Sequence, residues 1–202
     1  MTTIYITDNV LNSHTLEELL ELIPRNIVEF PEKYKITGDR LASASAWYVL
    51  YKYLKEDYNI DLSNEHIITN VNRKPCINGI FFNISHSFNM SAVIISDSEC
   101  GIDIEYVNPE VNHELLSTKI LNRNECFEYL RHERAPFFTL MWTKKEAMFK
   151  YNGTGIMLNH FKDLDTSKVR SIEITDTDQK IFYISYMVDK PTEEIMIKQV
   201  RL

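Results

Sequence analysis

Apolar positions along the chain change their period several times, and each change predicts an element. Ile4 to Thr7 alternates briefly, as an edge strand would. Thr15 to Ile23 reads as a short amphipathic helix. A longer helix opens near Gly38, where Leu41, Ala44, Tyr48, Tyr51 and Leu54 recur at steps of three and four. Short β-type runs follow at His66 to Thr69, Ile80 to Ser85, Ser91 to Ser96 and Gly101 to Glu105. The second half repeats this order. Helices are predicted at Asn124 to Arg131 and Pro136 to Tyr151, and Pro136 suits a first helical turn. The run Asn152-Gly153-Thr154-Gly155 ends the second of them, and strands are predicted at Ser171 to Thr175, Lys180 to Val188 and Glu194 to Val200. Helix followed by strands, twice, predicts an α+β fold of two similar halves, 1–98 and 99–202, joined near residues 97–101.

Composition narrows what such a fold can do. Across 202 residues, 22 basic and 29 acidic side chains leave a net charge of −7, and both halves are acidic. A general nucleic-acid binder needs a phosphate-neutralising surface, so no nucleic-acid partner is expected. No apolar run approaches the ~20 residues of a membrane span, and the start MTTIYITDNV has neither a basic nor an apolar leader region. Cys76, Cys100 and Cys126 form no metal-binding spacing and read as reduced thiols of a cytoplasmic protein.

Three segments carry candidate chemistry. In Gly101-Ile102-Asp103-Ile104-Glu105, a strand would turn both carboxylates to one side and both isoleucines to the core. Residues two apart on a strand are ~6.5–7 Å apart, a span that one divalent cation can bridge. A solvated edge would show the same pattern. In Trp142-Thr143-Lys144-Lys145-Glu146-Ala147-Met148-Phe149-Lys150, a helix lines up Trp142, Glu146 and Lys150. Glu146 and Lys150 could be a surface ion pair. Alternatively, with Asp103 and Glu105, they offer three carboxylates for Mg²⁺ and a lysine for phosphate. Phe82-Asn83-Ile84-Ser85-His86-Ser87 ends an apolar strand with hydroxyl and imidazole groups suited to an anion, although a lone histidine is commonly structural. No Gly-x-Ser-x-Gly elbow supports a serine hydrolase.

These blocks, in this order, resemble the three signatures of the Sfp-type 4′-phosphopantetheinyl transferase superfamily. Arg73-Lys74-Pro75-Cys76 resembles the Gly-Lys-Pro block that precedes them, and Asn152-Gly153-Thr154-Gly155-Ile156 resembles the Gly-x-Gly that follows. Glu125 sits where a family acidic residue follows the linker. The resemblance spans residues 73 to about 161. It implies a pseudo-twofold α+β pair with the active site between its halves. It also implies the reaction, in which a carrier-protein serine attacks the β-phosphate of coenzyme A and adenosine 3′,5′-bisphosphate leaves. Asp103, Glu105 and Glu146 would then hold Mg²⁺, Lys150 would contact a phosphate, and Ser85 and His86 would bind the nucleotide phosphates. Lys74 and Pro75 would lie near the adenine, and Glu146 is also the implied base for the serine.

The basic group that binds the 3′-phosphate has no clear counterpart, with Arg25, Lys33, Lys35 and Arg40 as candidates. A monomer is expected, because two halves in one chain complete a site. The apo acyl or peptidyl carrier protein is the expected partner, docking on Leu115, Leu116, Ile120, Leu121 and Phe127. Two other readings use the same residues: a Mg²⁺-dependent phosphodiesterase or nuclease, and an inactive relative that binds carrier proteins.

Overall fold

The computed structural model describes residues 1–8, 14–33, 35–70, 74–154, 158–189 and 194–202. In the first half, strand β1 (Thr2–Thr7) leads to helix α1 (Leu16–Leu22), helix α2 (Thr37–Tyr58), and strands β2 (Ile68–Thr69), β3 (Pro75–Ile77), β4 (Ile80–Ser87) and β5 (Met90–Ser96). The second half holds β6 (Cys100–Tyr106), helices α3 (His113–Ile120), α4 (Arg123–Tyr129) and α5 (Arg134–Asn152), then β7 (Arg170–Thr175), β8 (Ile181–Val188) and β9 (Ile195–Val200). The class is α+β, and each half lays its longest helix on antiparallel strands.

Local chemistry sets several boundaries. Thr15 caps α1 through a reciprocal pair in which its hydroxyl accepts from Glu18 N and the Glu18 carboxylate accepts from Thr15 N. Asn122 and Glu125 do the same for α4. Helix α5 ends at Gly153, whose φ of 66° is the left-handed conformation that glycine adopts without strain.

The strands form two sheets, in the orders β2-β3-β4-β5-β1-β9 and β6-β8-β7. The sheets pack face to face. Ile4, Ile6 and Ile94 of the first meet Ile102, Ile104 and Ile184 of the second in one buried cluster. Full burial of such side chains contributes roughly 1.5–3 kcal/mol each. Trp47, Leu50 and Leu54 of α2 cover the other side of the first sheet, against Tyr5 and Val93.

One expectation is corrected here. The run Ile4–Thr7 is no edge, because β1 lies between β5, antiparallel to it, and β9, parallel to it. All six of its residues are buried, and the brief alternation reflects two different buried faces. Strand β9 belongs by sequence to the second half, yet its pairing is with the first sheet. Helix α3 and strand β3 were not expected from the sequence pattern, since both are short and β3 begins on a proline.

Candidate active site

Strand β6 is at the edge of the second sheet, and its alternation sorts its side chains as predicted. Ile102 and Ile104 are fully buried in the core between the sheets. Asp103 and Glu105 take the other face, toward α5, which packs on β6. Asp103 is only 2% exposed, so the solvated-edge alternative fails. Gly101 permits the close approach of the helix. A Cβ there would lie 2.4 Å from Tyr151 N and 2.5 Å from the Ala147 carbonyl, which no side chain can tolerate.

Ile84, Ser85, His86, Asp103, Glu105, Glu146 and Lys150 line one cavity of about 270 Å³. The site is therefore assembled from β4, β6 and α5. The surface-pair alternative for Glu146 and Lys150 fails as well. Glu146 is 7% exposed, and Lys150 Nζ goes instead to Asp103 Oδ1 at 2.7 Å and Ser85 Oγ at 2.8 Å. Ser85 is thus occupied on several sides, since its hydroxyl also donates to Asp103 at 2.8 Å and accepts from Ile104 N. Ser87 repeats that pattern with Glu105 and Tyr106 N.

The electrostatics follow from burial and crowding. Burial and the Asp103 charge push Glu146 up to about 8, with Glu105 adding repulsion and Lys150 relieving it. Burial and Asp103 push Glu105 up to about 7, against hydrogen bonds from Ser87 and Trp142. Burial raises Asp103, and Lys150, Ser85 and the Ile104 amide pull it back. Burial opposes the charge on Lys150, but Asp103, Glu146 and Glu105 outweigh it and hold that lysine protonated. Burial and Lys150 lower His86 to about 4, so the imidazole is neutral near pH 7.

Among the described residues no group of three or more His, Cys, Asp and Glu side chains is drawn together tightly enough to hold a metal ion. The donor chemistry nonetheless fits a hard divalent cation. Asp103 Oδ2 is buried with no hydrogen-bond partner, and two neighbouring carboxylates are destabilised by the same negative charge.

Other predicted residues are placed less directly. Pro75 opens β3, half-buried. Lys74 is 1% exposed, and its ammonium turns inward to donate to the Lys150 carbonyl. Of the four basic candidates, Lys33 acts electrostatically on His86, and Arg40 has a buried Nε with no acceptor. Arg25 and Lys35 are exposed. Arg73, Gly155 and Ile156 lie outside the described residues. Glu125 pairs with Lys145 at 2.9 Å, and that wholly buried lysine also donates to the Phe161 carbonyl at 2.7 Å. Sequence reasoning gave Lys145 no role, although its place on the buried side of α5 followed from helical spacing.

An apolar cleft of about 180 Å³ adjoins the site through Glu105, lined by Tyr106, Val111, Leu116, Phe138 and Trp142 among others. The expected docking residues divide. Leu115 and Phe127 are exposed, whereas Ile120 and Leu121 are 1% exposed in the core beneath α5. Leu116 packs against that same core. Ile120 and Leu121 are therefore removed from any docking surface.

Residues 99–198 match the family model described as the 4′-phosphopantetheinyl transferase superfamily. The 4′-phosphopantetheinyl transferase Sfp of Bacillus subtilis (strain 168) is 29% identical over 149 residues, 67% of this chain and 64% of that protein. The chain belongs to the 4′-phosphopantetheinyl transferase superfamily. Two further superfamily members are similar. The transferase named ffp, from Bacillus subtilis, is 26% identical over the same coverage. AcpT of Escherichia coli (strain K12) is 33% identical over 78 residues, 37% of this chain and 40% of that protein. The match thus spans somewhat less than two thirds of the Bacillus relatives' length. The pseudo-twofold α+β arrangement agrees with this superfamily's fold.

Proposed function

We propose that this protein transfers the 4′-phosphopantetheine group of coenzyme A to a serine of an apo acyl or peptidyl carrier protein, with Mg²⁺. One observation carries the reading: Asp103 and Glu105 of β6, Glu146 and Lys150 of α5, and Ser85 and His86 of β4 line one cavity. The similarity to proteins named 4′-phosphopantetheinyl transferases supports it. The halves are taken as 1–98 and 99–202, with the site between them.

In the reaction, the serine oxygen bonds to the β-phosphorus of coenzyme A while the bond from that phosphorus to the bridging oxygen breaks. Adenosine 3′,5′-bisphosphate leaves with the bridging oxygen. Glu146 takes the serine proton as general base. Asp103, Glu105 and Glu146 would hold Mg²⁺, which when bound neutralises pyrophosphate charge. Lys150 is the mobile counter-charge. It rests on Asp103 and Ser85, and turns to a phosphate oxygen as negative charge grows there.

His86, neutral and donor-capable, binds a nucleotide phosphate with Ser85. Lys33 and Arg40 are the two basic groups assigned to the 3′-phosphate. Pro75 and the backbone of Lys74 flank the adenine, because the Lys74 ammonium is turned away. The apolar cleft beside Glu105 suits the pantetheine arm.

A monomer in the cytoplasm is the setting we assign. The three cysteines are free thiols, and among the described residues no helix is long and apolar enough to cross a membrane.

The test is intact-mass analysis of an apo carrier protein incubated with this protein and coenzyme A, with and without Mg²⁺. A gain of one phosphopantetheine group that requires Mg²⁺ is expected. Hydrolysis of coenzyme A or of a nucleic acid, with no modified carrier, would overturn the reading.

A further inference from the structure

Strands β4 and β6 belong to different sheets and share no backbone ladder. Side chains of one nevertheless satisfy the backbone of the other. Asn83 Oδ1 accepts from Ile102 N at 3.0 Å, Ser85 Oγ from Ile104 N at 3.3 Å, and Ser87 Oγ from Tyr106 N at 3.1 Å. The step is two residues on both strands, the period that keeps side chains on one face. β6 is an edge strand, so these N–H groups have no backbone partner across the sheet. A buried donor left unpaired costs about 1–3 kcal/mol.

A hydroxyl can accept and donate at once. Ser85 and Ser87 both do, and their donated hydrogens go to the carboxylates of the site. Ser85 Oγ donates to Asp103 at 2.8 Å, and Ser87 Oγ donates to Glu105 Oε2 at 2.7 Å. The backbone N–H therefore fixes the hydroxyl, and the hydroxyl fixes the carboxylate. Ser85 has other work as a partner of Lys150 and a lining residue of the cavity. Ser87 is absent from that lining.

We infer that Ser87 is the positioning residue for Glu105: held by Tyr106 N, it aims one metal-binding carboxylate from the opposite half of the chain. The inference rests on the metal set of the proposed function. It makes that set dependent on how the two sheets are seated, because Glu105 is on one and Ser87 on the other. Alanine cannot replace Ser87 in this role. Threonine can, since it keeps the hydroxyl.

The test compares wild type with Ser87→Ala, Ser87→Cys and Ser87→Thr. Mn²⁺ binding is read by electron paramagnetic resonance without coenzyme A, and the Mg²⁺ dependence of transfer is read separately. Loss of a partner that orients a metal ligand typically weakens metal affinity about tenfold or more, so Ser87→Ala and Ser87→Cys should weaken Mn²⁺ binding by about that factor. The Mg²⁺ requirement should rise in parallel, Ser87→Thr should recover most of the loss, and metal-free coenzyme A affinity should stay as in wild type.

Wild-type Mn²⁺ affinity in Ser87→Cys, or in the folded fraction of Ser87→Ala, would overturn the inference. So would a loss of coenzyme A affinity with metal binding intact, which would make Ser87 a phosphate ligand. Wild-type protein that binds no Mn²⁺ would sink the metal set and this inference together. Mn²⁺ binding that depends on Ser87, with no transfer to carrier protein, would sink the transfer reading and leave the inference standing.

Discussion

Lys150 Nζ lies 2.7 Å from Asp103 Oδ1, and this ion pair joins the last turn of α5 to the middle of β6. Asp103 is buried, so the pair is asymmetric in what its loss exposes. Lys150→Ala leaves a carboxylate without its cation among two others. It should destabilise the protein by about 1–3 kcal/mol, below the range for fully buried pairs because Lys150 is partly exposed. Lys150→Ala combined with Asp103→Ala should be less harmful than the two single changes added. Urea unfolding of the four proteins checks this, and strict additivity would mean that the pair is not energetically coupled. Both single variants should lose turnover.

Glu105 and Glu146 behave oppositely, because their burial is resisted by the cluster itself. Both carry folded pKa values above the ordinary carboxylate range, at about 7 and about 8. Between about pH 4.5 and those values the folded state holds more protons than the unfolded one, so each group makes the apo protein less stable as pH rises. Glu146→Gln should then stabilise the metal-free protein by on the order of 1 kcal/mol, about 2–4 °C at this size. The gain should be absent near pH 4 and grow toward pH 8, while transfer is lost. A melting-temperature difference independent of pH would count against the assignment.

His86 supplies the opposite slope. Its folded value of about 4 is below the ordinary 6.5, so the unfolded state binds more protons between those limits. Wild type should lose stability as pH falls from about 6.5 to about 4, and His86→Asn should lose less over that window. Calorimetric melts at matched ionic strength separate this from the carboxylates. On activity, His86→Asn should weaken coenzyme A binding more than turnover; unchanged affinity would return the histidine to a structural role.

Much of the fold and of the site is legible in the sequence, for identifiable reasons. The alternation of Ile102 and Ile104 with Asp103 and Glu105 is a two-residue period, and the period survived folding because one face of β6 meets a core. The line of Trp142, Glu146 and Lys150 survived for the analogous reason on a helix. What was illegible depended on contacts far apart in sequence. Nothing local marks Ile4–Thr7 as central, since that follows from the pairing with β9 almost two hundred residues later. The inward turn of Lys74 onto the Lys150 carbonyl is likewise a tertiary fact. Leu121 and Phe127 looked alike as apolar residues in a short segment, and only packing beneath α5 separates the buried one from the exposed one.

The exposed members of that segment give the last prediction. Leu115, Phe127 and Leu130 are 58%, 59% and 70% exposed along two consecutive short helices, a cluster of apolar surface of the kind that marks a protein contact. Arg131 sits over the Phe127 ring at 5.2 Å, a local cation in a chain of net charge −7. If the proposed carrier protein is also acidic, long-range attraction should be weak and docking should rest on apolar contact. Phe127→Ala with Leu130→Ala should raise the KM for carrier protein by about tenfold, a loss of about 1.4 kcal/mol in binding, and leave the KM for coenzyme A unchanged. Efficiency toward carrier protein should change little between low and physiological salt. A steep fall with salt, together with a large effect of Arg131→Ala and none of Phe127→Ala, would show that local basic charge governs the encounter, and the apolar patch would have to be given up as the docking surface.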